Sequence, residues 1–233
     1  DMDGTLVLGD QRNHGLLPLP GALEFINWLQ QRELPFVLFT NGTTRTPRQY
    51  ARMLRALGFD LTDANIMTPA SSAVEVFRRH GHRRVLALGG AGLKQPLQQA
   101  GIEVAARGDP AAVDAVLVGW FREFTMDDLE AAVQAVWNGA RLYSCSQSLF
   151  FATAQGRALG TSRAITAMIR DLTGCHVRIV GKPSQDALNS AAQRLGVARR
   201  SLAVIGDDPG LEVAMALRGQ CLAIGVHTGL SDR

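Results

Sequence analysis

The sequence opens with Asp1-Met2-Asp3-Gly4-Thr5-Leu6, and this stretch decides how the rest of the chain is interpreted. Two carboxylates stand two residues apart, so an extended segment directs both to the same side. Gly4 permits a sharp turn directly after them. Such a pair can divide the work of a reaction: one ionised carboxylate attacks, while the other, with a pKa raised by its neighbour's charge, moves protons. An exposed acidic turn is the alternative interpretation, because Asp, Gly and Thr are common in turns.

Composition narrows the class of protein. The 233 residues are 46% hydrophobic and 19% charged, which predicts one or two domains with a packed core. The net charge is +3 and the basic residues are scattered, so we expect no nucleic-acid partner. The three cysteines, at 145, 175 and 221, show no CxxC spacing, which is typical of a reducing, cytoplasmic location. No apolar run reaches the roughly 18 residues of a membrane span, so we expect no membrane partner.

Short apolar runs alternate with helical periodicity along the whole chain. Residues 36–39, 115–118 and 202–205 have the composition of buried strands in a parallel sheet. Between such runs lie helix signals, for example Thr46 as an N-cap followed by Pro47 at the first helical position. Strands that alternate with helices predict an α/β fold with parallel sheets.

Four polar clusters fall at predicted strand ends: Asp1 with Asp3, Thr40 with Asn41, Lys182, and Asp207 with Asp208. Ligands bind outside the carboxyl ends of the strands in open parallel sheets, so we expect the clusters to meet in one crevice. Several carboxylates with few cations favour a hard divalent metal, most plausibly Mg²⁺. A lysine, a threonine hydroxyl and backbone N–H groups favour phosphate. The combination predicts a phosphoryl-transfer site.

In their order and spacing these clusters resemble the four motifs of the haloacid-dehalogenase-like superfamily, specifically its phosphatases. The first motif, D-x-D-G-T, stands at residues 1–5; the second ends at Thr40, the third is Lys182, and the fourth is Gly206-Asp207-Asp208. Residues 40–46, 160–182 and 226–229 also resemble the branch with an α/β cap inserted between motifs two and three. That branch includes the N-acetylglucosamine-phosphate, phosphoglycolate, pyridoxal-phosphate and p-nitrophenyl phosphatases. The resemblance covers nearly the whole chain.

The resemblance implies a fold and a role for each motif residue. The fold is a Rossmann-like parallel-sheet core from residues 1–66 and 178–233, with an α/β cap from residues 67–177. Asp1 would attack phosphorus and become an aspartyl phosphate, and Asp3 would protonate the leaving oxygen and then activate water. Thr40 and Lys182 would hold the phosphoryl oxygens. Asp1, the backbone carbonyl of Asp3, and Asp207 would bind Mg²⁺.

Three features leave alternatives open. Asn41 either binds the phosphate or stabilises its own turn. The family often has a second Asp five residues after the first acid of motif four, and here that place holds Glu212, so either Asp208 or Glu212 completes the metal site. The family usually has an apolar strand before the first Asp, and this chain has none, so we expect further residues upstream of Asp1 in the natural protein.

The cap loop is the expected source of substrate specificity. Where the family often has Ala-Thr-Asn-x-Asp, this chain has Ser144-Cys145-Ser146-Gln147-Ser148. The side chains of Ser146, Gln147 and Ser148 can hydrogen-bond hydroxyls, and the loop carries no charge, which predicts a neutral or partly apolar leaving group. Three nearby aromatic side chains are interpreted as cap core rather than as a stacking platform: Trp120, Phe121 and Trp137.

The leading hypothesis is therefore Mg²⁺-dependent hydrolysis of a small phosphomonoester through an aspartyl-phosphate intermediate. A phosphotransferase or mutase would use the same residues, and product analysis with an acceptor alcohol separates the two. A catalytically idle binding protein is the third hypothesis, although Asp1, Asp3 and Lys182 are all present. The resemblance is also compatible with a homodimer formed through the cap.

Overall fold

The computed structural model describes residues 1–9, 15–109, 111–153 and 156–228. The strands are β1 (Val7–Gly9), β2 (Leu16–Pro18), β3 (Leu38–Phe39), β4 (Ile66–Met67), β5 (Arg84–Leu88), β6 (Glu103–Val104), β7 (Ala115–Val118), β8 (Arg141–Ser144), β9 (Phe150–Thr153), β10 (Gly156–Leu159), β11 (Val177–Ile179), β12 (Ala203–Gly206) and β13 (Leu222–Gly225). The α-helices are α1 (Ala22–Gln31), α2 (Pro47–Ala56), α3 (Pro69–His80), α4 (Ala91–Gln99), α5 (Met126–Trp137), α6 (Thr161–Thr173), α7 (Gln185–Leu195) and α8 (Ala214–Arg218). No helix in these ranges is both long and apolar enough to cross a membrane.

The largest sheet has five parallel strands in the order β11-β8-β7-β5-β6, and it is called the cap sheet below. Its central strands are buried on both faces, because alternate side chains meet different helices. On β5, Val85 and Ala87 face the cluster formed with α3 and α4, whereas Leu86 and Leu88 face the cluster formed with α5 and α6. Each fully buried aliphatic side chain of this kind contributes about 1.5–3 kcal/mol, so the layers hold one another in place.

The remaining strands form two-stranded pairs: β1 with β2, β3 with β4, β12 with β13, and the hairpin β9 with β10. Helices α1 and α2 pack on the first two pairs around a buried cluster that includes Met2, Ile26 and Leu54. Helices α7 and α8 pack around Leu188 and Met215, beside the third pair. The predicted cap of Thr46 on α2 is confirmed, since its hydroxyl accepts a hydrogen bond from Gln49 N at 3.2 Å. The α/β fold with parallel sheets is confirmed as well.

Two features differ from the sequence-based expectation. Strand β11 pairs with β8, so residues 178 and 179 continue the cap sheet, whereas the predicted boundary placed them in the core. The described core strands form separate pairs rather than the one shared sheet that we expected. Residues 1–3 form only an isolated bridge, between Asp3 and Val7, and among the described residues no strand pairs with both β3 and β12. The division into core and cap stays a prediction.

Candidate active site

The opening stretch brings its two acids to one side of the chain. Met2, between them, is fully buried in the hydrophobic core, so Asp1 and Asp3 both face away from it. The backbone N of Asp1 donates a hydrogen bond to Ile205 O at 2.8 Å, which fixes it beside β12. Gly4 has a φ of +85° and lies against the Asp207 carboxylate, with which a Cβ would collide. A glycine is therefore required for the acids of motifs one and four to approach each other.

Lys182 is the cation at the centre of the site, with only 3% of its surface exposed. Its Nζ contacts Asp1 Oδ1 and also Glu212 Oε1, the latter at 2.6 Å. Burial is the largest single influence on Glu212 and would raise its pKa, but the charges of the Lys182 ammonium and of the Asp1 amino group, with the hydrogen bonds that Glu212 accepts, together hold that pKa below its usual value. Thr5 Oγ1 donates to the other oxygen of Asp1 at 2.8 Å. One ammonium thus compensates two buried carboxylates.

Asp3 has a different environment from Asp1. Its Oδ2 accepts a hydrogen bond from Thr40 Oγ1 at 2.7 Å, and Gly42 N donates to the same threonine oxygen at 2.8 Å. Burial raises the pKa of Asp3, and it outweighs the Thr40 hydrogen bond and the charge of Lys182. The direction agrees with the expectation from sequence, but burial is the main cause and the neighbouring carboxylate of Asp207 contributes less. A carboxyl group that keeps its proton in this way can act as an acid.

Three carboxylates converge near Lys182. Asp1, Asp207 and Glu212 each offer an oxygen, and these oxygens lie within 4.8 Å of one another. Asp208 is turned elsewhere, because its Oδ1 accepts a hydrogen bond from Gly210 N at 2.7 Å and caps the π-helical segment Pro209–Val213. That segment brings Glu212 back to the site, where its Oε2 accepts from Asp208 N at 3.2 Å. Of the two open alternatives, the structure brings Glu212 and not Asp208 into the cluster.

Asn41 holds the loop that carries Lys182. Its Oδ1 accepts a hydrogen bond from Lys182 N at 2.8 Å, and its Nδ2 donates to Lys182 O at 3.0 Å. The same Nδ2 lies 3.4 Å from Ser146 Oγ. Both amide atoms are therefore engaged with protein groups, so Asn41 positions the lysine and the cap loop. A contact between Asn41 and phosphate stays a prediction.

The side chains of residues 146–148 in the cap loop point in two directions. Ser146 and Ser148 line the central cavity and are joined by a hydrogen bond of 3.1 Å between their hydroxyls. Gln147 does not line it; its Nε2 donates to Thr166 Oγ1 on α6 at 2.9 Å. The expectation that Gln147 contacts substrate therefore differs from the structure. The physical reason is that a residue between two inward-facing neighbours points to the opposite side, where α6 offers it a partner.

These groups surround one cavity of 110 Å³. The core contributes Asp1, Asp3, Asn41, Lys182, Asp207 and Glu212, and the cap contributes Trp120, Ser146, Ser148, Thr161 and Ser162. The four polar clusters predicted to meet in one crevice do meet there, with Thr40 beneath Asp3.

Two family models match separate parts of the chain, one at each end. A model for haloacid dehalogenase-like hydrolases matches residues 1–103, and a HAD-hydrolase-like model matches residues 179–233. The chain belongs to the haloacid dehalogenase-like hydrolases. An acid sugar phosphatase from Staphylococcus epidermidis is 28% identical over 232 residues, which cover 99% of this chain and 86% of that protein.

Solved structures of this family share the fold. A thermostable NPPase from Geobacillus stearothermophilus, a double mutant, is 30% identical with a TM-score of 0.84, covering 92% of this chain and 85% of its own. A glycerol phosphate phosphatase from Mycobacterium tuberculosis, in complex with magnesium, is 26% identical with a TM-score of 0.86, covering 100% of this chain and 67% of its own. An α/β core with a cap, as in these neighbours, is the architecture that the sequence predicted.

The donor set fits a divalent cation. The described lining of the cavity includes five carboxylates, those of Asp1, Asp3, Asp207, Asp208 and Glu212, and a single cationic side chain, Lys182. Even with Asp3 protonated, four carboxylates face one cation, and this excess of negative charge favours a hard cation, since carboxylate oxygens are the ligands that Mg²⁺ prefers. Asp1, Asp207 and Glu212 are the residues that would hold it.

Sequence reasoning missed three cavity residues on the cap. Trp120 lines the cavity, so its interpretation as cap core was wrong, and Trp137 is 60% exposed. Phe121 does pack against the cap core as predicted. A signal for Trp120 was available, because it follows the carboxyl end of β7, and the rule for strand ends applies to the cap sheet as well as to the core. Thr161 and Ser162 stand at the start of α6, and no motif in the sequence indicates that this position lines the cavity.

Proposed function

We propose that this protein is a metal-dependent phosphatase that hydrolyses small phosphomonoesters. The observation that carries the proposal is the contrast between two neighbouring acids. Asp1 is buried against the Lys182 ammonium, whereas burial raises the pKa of Asp3. A nucleophile needs a charge and an acid needs a proton, so this difference suits the two roles. The phosphatase relatives from Staphylococcus, Geobacillus and Mycobacterium support the same reaction class.

In the proposed mechanism, an oxygen of Asp1 attacks phosphorus, and the bond from phosphorus to the leaving oxygen breaks. Asp3 gives its proton to that oxygen, so the alcohol leaves neutral. Asp3, now ionised, removes a proton from water. The water oxygen attacks the aspartyl phosphate, the bond from phosphorus to Asp1 breaks, and inorganic phosphate leaves. Thr40 orients Asp3 throughout, since its hydroxyl donates to that carboxyl group at 2.7 Å.

Lys182 binds the phosphoryl group in this proposal. The side chain of Asn41 holds Lys182 in place through two hydrogen bonds to the Lys182 backbone. Mg²⁺, held by Asp1, Asp207 and Glu212, would supply positive charge to balance the phosphoryl oxygens. The cavity of 110 Å³ supports a small substrate. Pockets for drug-sized ligands measure roughly 300–1,000 Å³.

The test is turnover of p-nitrophenyl phosphate with Mg²⁺, after EDTA, and after Mg²⁺ is restored. We expect EDTA to abolish activity and Mg²⁺ to recover it. Asp1→Asn keeps the size of the side chain but removes the charge, so kcat should fall by orders of magnitude. Asp60→Asn, at an exposed position, is the matched control and should behave as wild type. Full activity in metal-free buffer, or near-normal turnover by Asp1→Asn, would refute the mechanism.

A phosphotransferase remains the second candidate for the same site. Turnover in the presence of an acceptor alcohol, with the products separated, distinguishes the two. Inorganic phosphate as the main product supports hydrolysis. If most phosphoryl groups are transferred to the alcohol, the protein is a phosphotransferase, in which Asp1 and Asp3 keep the same roles.

A further inference from the structure

The hydroxyl of Thr40 is hydrogen-bonded on two sides. It donates to Asp3 Oδ2 at 2.7 Å and accepts from Gly42 N at 2.8 Å. A threonine hydroxyl has one proton, and because the N–H of Gly42 occupies a lone pair of the oxygen, that proton is directed at Asp3. Thr40 is fully buried, and it is not among the described residues that line the cavity. A protein group, rather than the substrate, therefore sets the direction of this hydroxyl.

Gly42 reaches Thr40 because it has no side chain. A Cβ at this position would lie 2.2 Å from Tyr50 Oη and 3.1 Å from Thr40 Oγ1, and Cβ atoms essentially never approach another heavy atom within 3.0 Å. The φ of Gly42 lies outside the left-handed region, so the requirement is for space and not for an unusual backbone conformation. A larger residue would have to move away from the tyrosine, and its N–H would move with it.

The side chain of Tyr50 has little room to yield. It lies on α2 and is fully buried in the hydrophobic core. Its hydroxyl lies 3.5 Å from Thr44 Oγ1, and the Arg45 guanidinium lies 5.9 Å from the centre of its ring. Burial and, to a smaller extent, the charge of Asp3 raise the pKa of Tyr50 to about 12, so the group stays a neutral hydroxyl beside the loop. Gly42 is therefore packed against a fixed side chain.

We infer that Gly42 is a positioning residue for the acid. Packed against Tyr50, its N–H directs the Thr40 hydroxyl at Asp3, which holds that carboxyl group in the orientation from which it protonates the leaving oxygen. The inference rests on the proposed phosphatase function. Gly42 acts through Thr40 and exchanges no proton with the substrate.

The test compares two substrates that differ in their need for an acid. Benzyl phosphate and p-nitrophenyl phosphate each carry one aromatic ring, but the benzyl alkoxide is strongly basic and leaves only with a proton, whereas p-nitrophenolate is a stable anion. The quantity measured is kcat/KM with Mg²⁺, because it covers the steps up to the aspartyl phosphate and not the later attack by water. General acid catalysis contributes about 10²–10⁴-fold, so Gly42→Ala should lower kcat/KM for benzyl phosphate by about tenfold or more. The value for p-nitrophenyl phosphate should stay nearly unchanged.

The rescue variant combines Gly42→Ala with Tyr50→Phe. The second substitution removes the oxygen that the new Cβ would meet, and the next ring atom, Tyr50 Cζ, lies 3.3 Å away. The ratio of the two kcat/KM values should then return close to that of wild type, because both substitutions change one contact and their effects do not add. Gly90→Ala is the matched control, since a Cβ at Gly90 meets nothing within 4 Å and this glycine, before α4, is outside the described lining of the cavity. It should leave the ratio unchanged.

Thr40→Val covers the case in which Gly42→Ala does not fold. It removes the hydroxyl but keeps the shape of the side chain, so it should lower the same ratio. Equal losses on both substrates, an unchanged ratio in Gly42→Ala or Thr40→Val, no recovery in the double variant, or a wild type that hydrolyses p-nitrophenyl phosphate alone would overturn the inference. The proposed function stands in each of these cases if wild type hydrolyses p-nitrophenyl phosphate; no turnover of either substrate by wild type would overturn both.

Discussion

Lys182→Met should destabilise the protein by about 3–5 kcal/mol, the loss seen when one partner of a buried ion pair is removed. The methionine side chain fills the volume of the lysine stem but brings no charge. Two carboxylates, Asp1 and Glu212, then stay buried without their shared cation. Because small proteins have about 5–15 kcal/mol of total stability, this is a large fraction of it. At 2–4 °C per kcal/mol for a chain of this size, the melting temperature should fall by roughly 6–20 °C.

The assay is thermal or urea unfolding at pH 7 in EDTA. The chelator is needed because a divalent ion bound between the carboxylates would replace the missing charge, adding about 2.7 kcal/mol at 100 times its dissociation constant. The chain has two lysines, Lys94 and Lys182, so Lys94→Met on α4 is the matched control. We expect it to change the free energy of unfolding by less than about 0.5 kcal/mol.

The pH dependence provides an independent check. The folded-state pKa of Glu212 is held below its usual value, so the stability from its ionised form is present above the unfolded pKa of about 4.3. That stability is lost as pH falls through the lower folded pKa. Among the groups that lower this pKa, Lys182 contributes most, so the difference between wild type and Lys182→Met should shrink in acid. Adding Glu212→Gln to Lys182→Met should recover about 0.5–3 kcal/mol, since one unpaired charge is removed. The shared-cation argument fails if Lys182→Met is as stable as Lys94→Met. It also fails if the losses of stability from Lys182→Met and Glu212→Gln simply add in the double variant.

Three further predictions follow from the site. Asp3→Asn should abolish turnover yet raise the melting temperature. The folded pKa of Asp3 is raised, so the stability that this residue contributes to the fold is fully present below its unfolded pKa of about 4. That contribution is lost as the pH rises through the folded pKa. Melts of both proteins from pH 4 to 8 test this, and a constant difference would contradict it. Glu212→Gln should weaken Mg²⁺ binding, measured by calorimetry, by about tenfold more than Asp208→Asn, and equal effects would exclude Glu212 as a ligand. Gln147→Ala should lower the free energy of unfolding in urea by about 0.5–1.5 kcal/mol, because its hydrogen bond to Thr166 is lost. The ratio of kcat/KM between substrates should not change, and a changed ratio would show that Gln147 contacts the substrate.

The sequence was sufficient to predict which core residues meet, because the rule that fixes them is simple. Polar residues at the carboxyl ends of parallel strands share an edge, and Thr40 after β3 and Asp207 after β12 obey this rule, whereas Lys182 follows β11 of the cap sheet and Asp1 precedes the first described strand. The raised pKa of Asp3 was harder to attribute. Its direction follows from two acids close together, but its main cause, burial, depends on how the cap and core enclose Asp3, which no short stretch of sequence records.

Other details depended on local geometry that composition does not specify. Glu212 reaches the site because Pro209–Val213 is a π-helical turn, and an ordinary helix from the same residues would have pointed it elsewhere. Gln147 turns away because Thr166 offers a partner on α6. Strand β11 joins the cap sheet because β8 provides an open edge next to it, a pairing between segments far apart in sequence. These outcomes are decided by tertiary contacts rather than by propensity.

The loop of residues 40–46 links the two ends of the cavity. Thr40 holds Asp3, and the next residue, Asn41, joins the backbone of Lys182 to Ser146 of the cap. Two residues later, the fully buried Thr43 accepts a hydrogen bond from Trp120 N at 2.8 Å. One short segment thus positions the acid and the lysine that would act on phosphate, and also two of the cap residues that would face the leaving group. Because these hydrogen bonds tie both ends of the cavity to one short segment, we expect the loop to set the distance between them, so that a substrate would be selected by its length as well as by its chemistry.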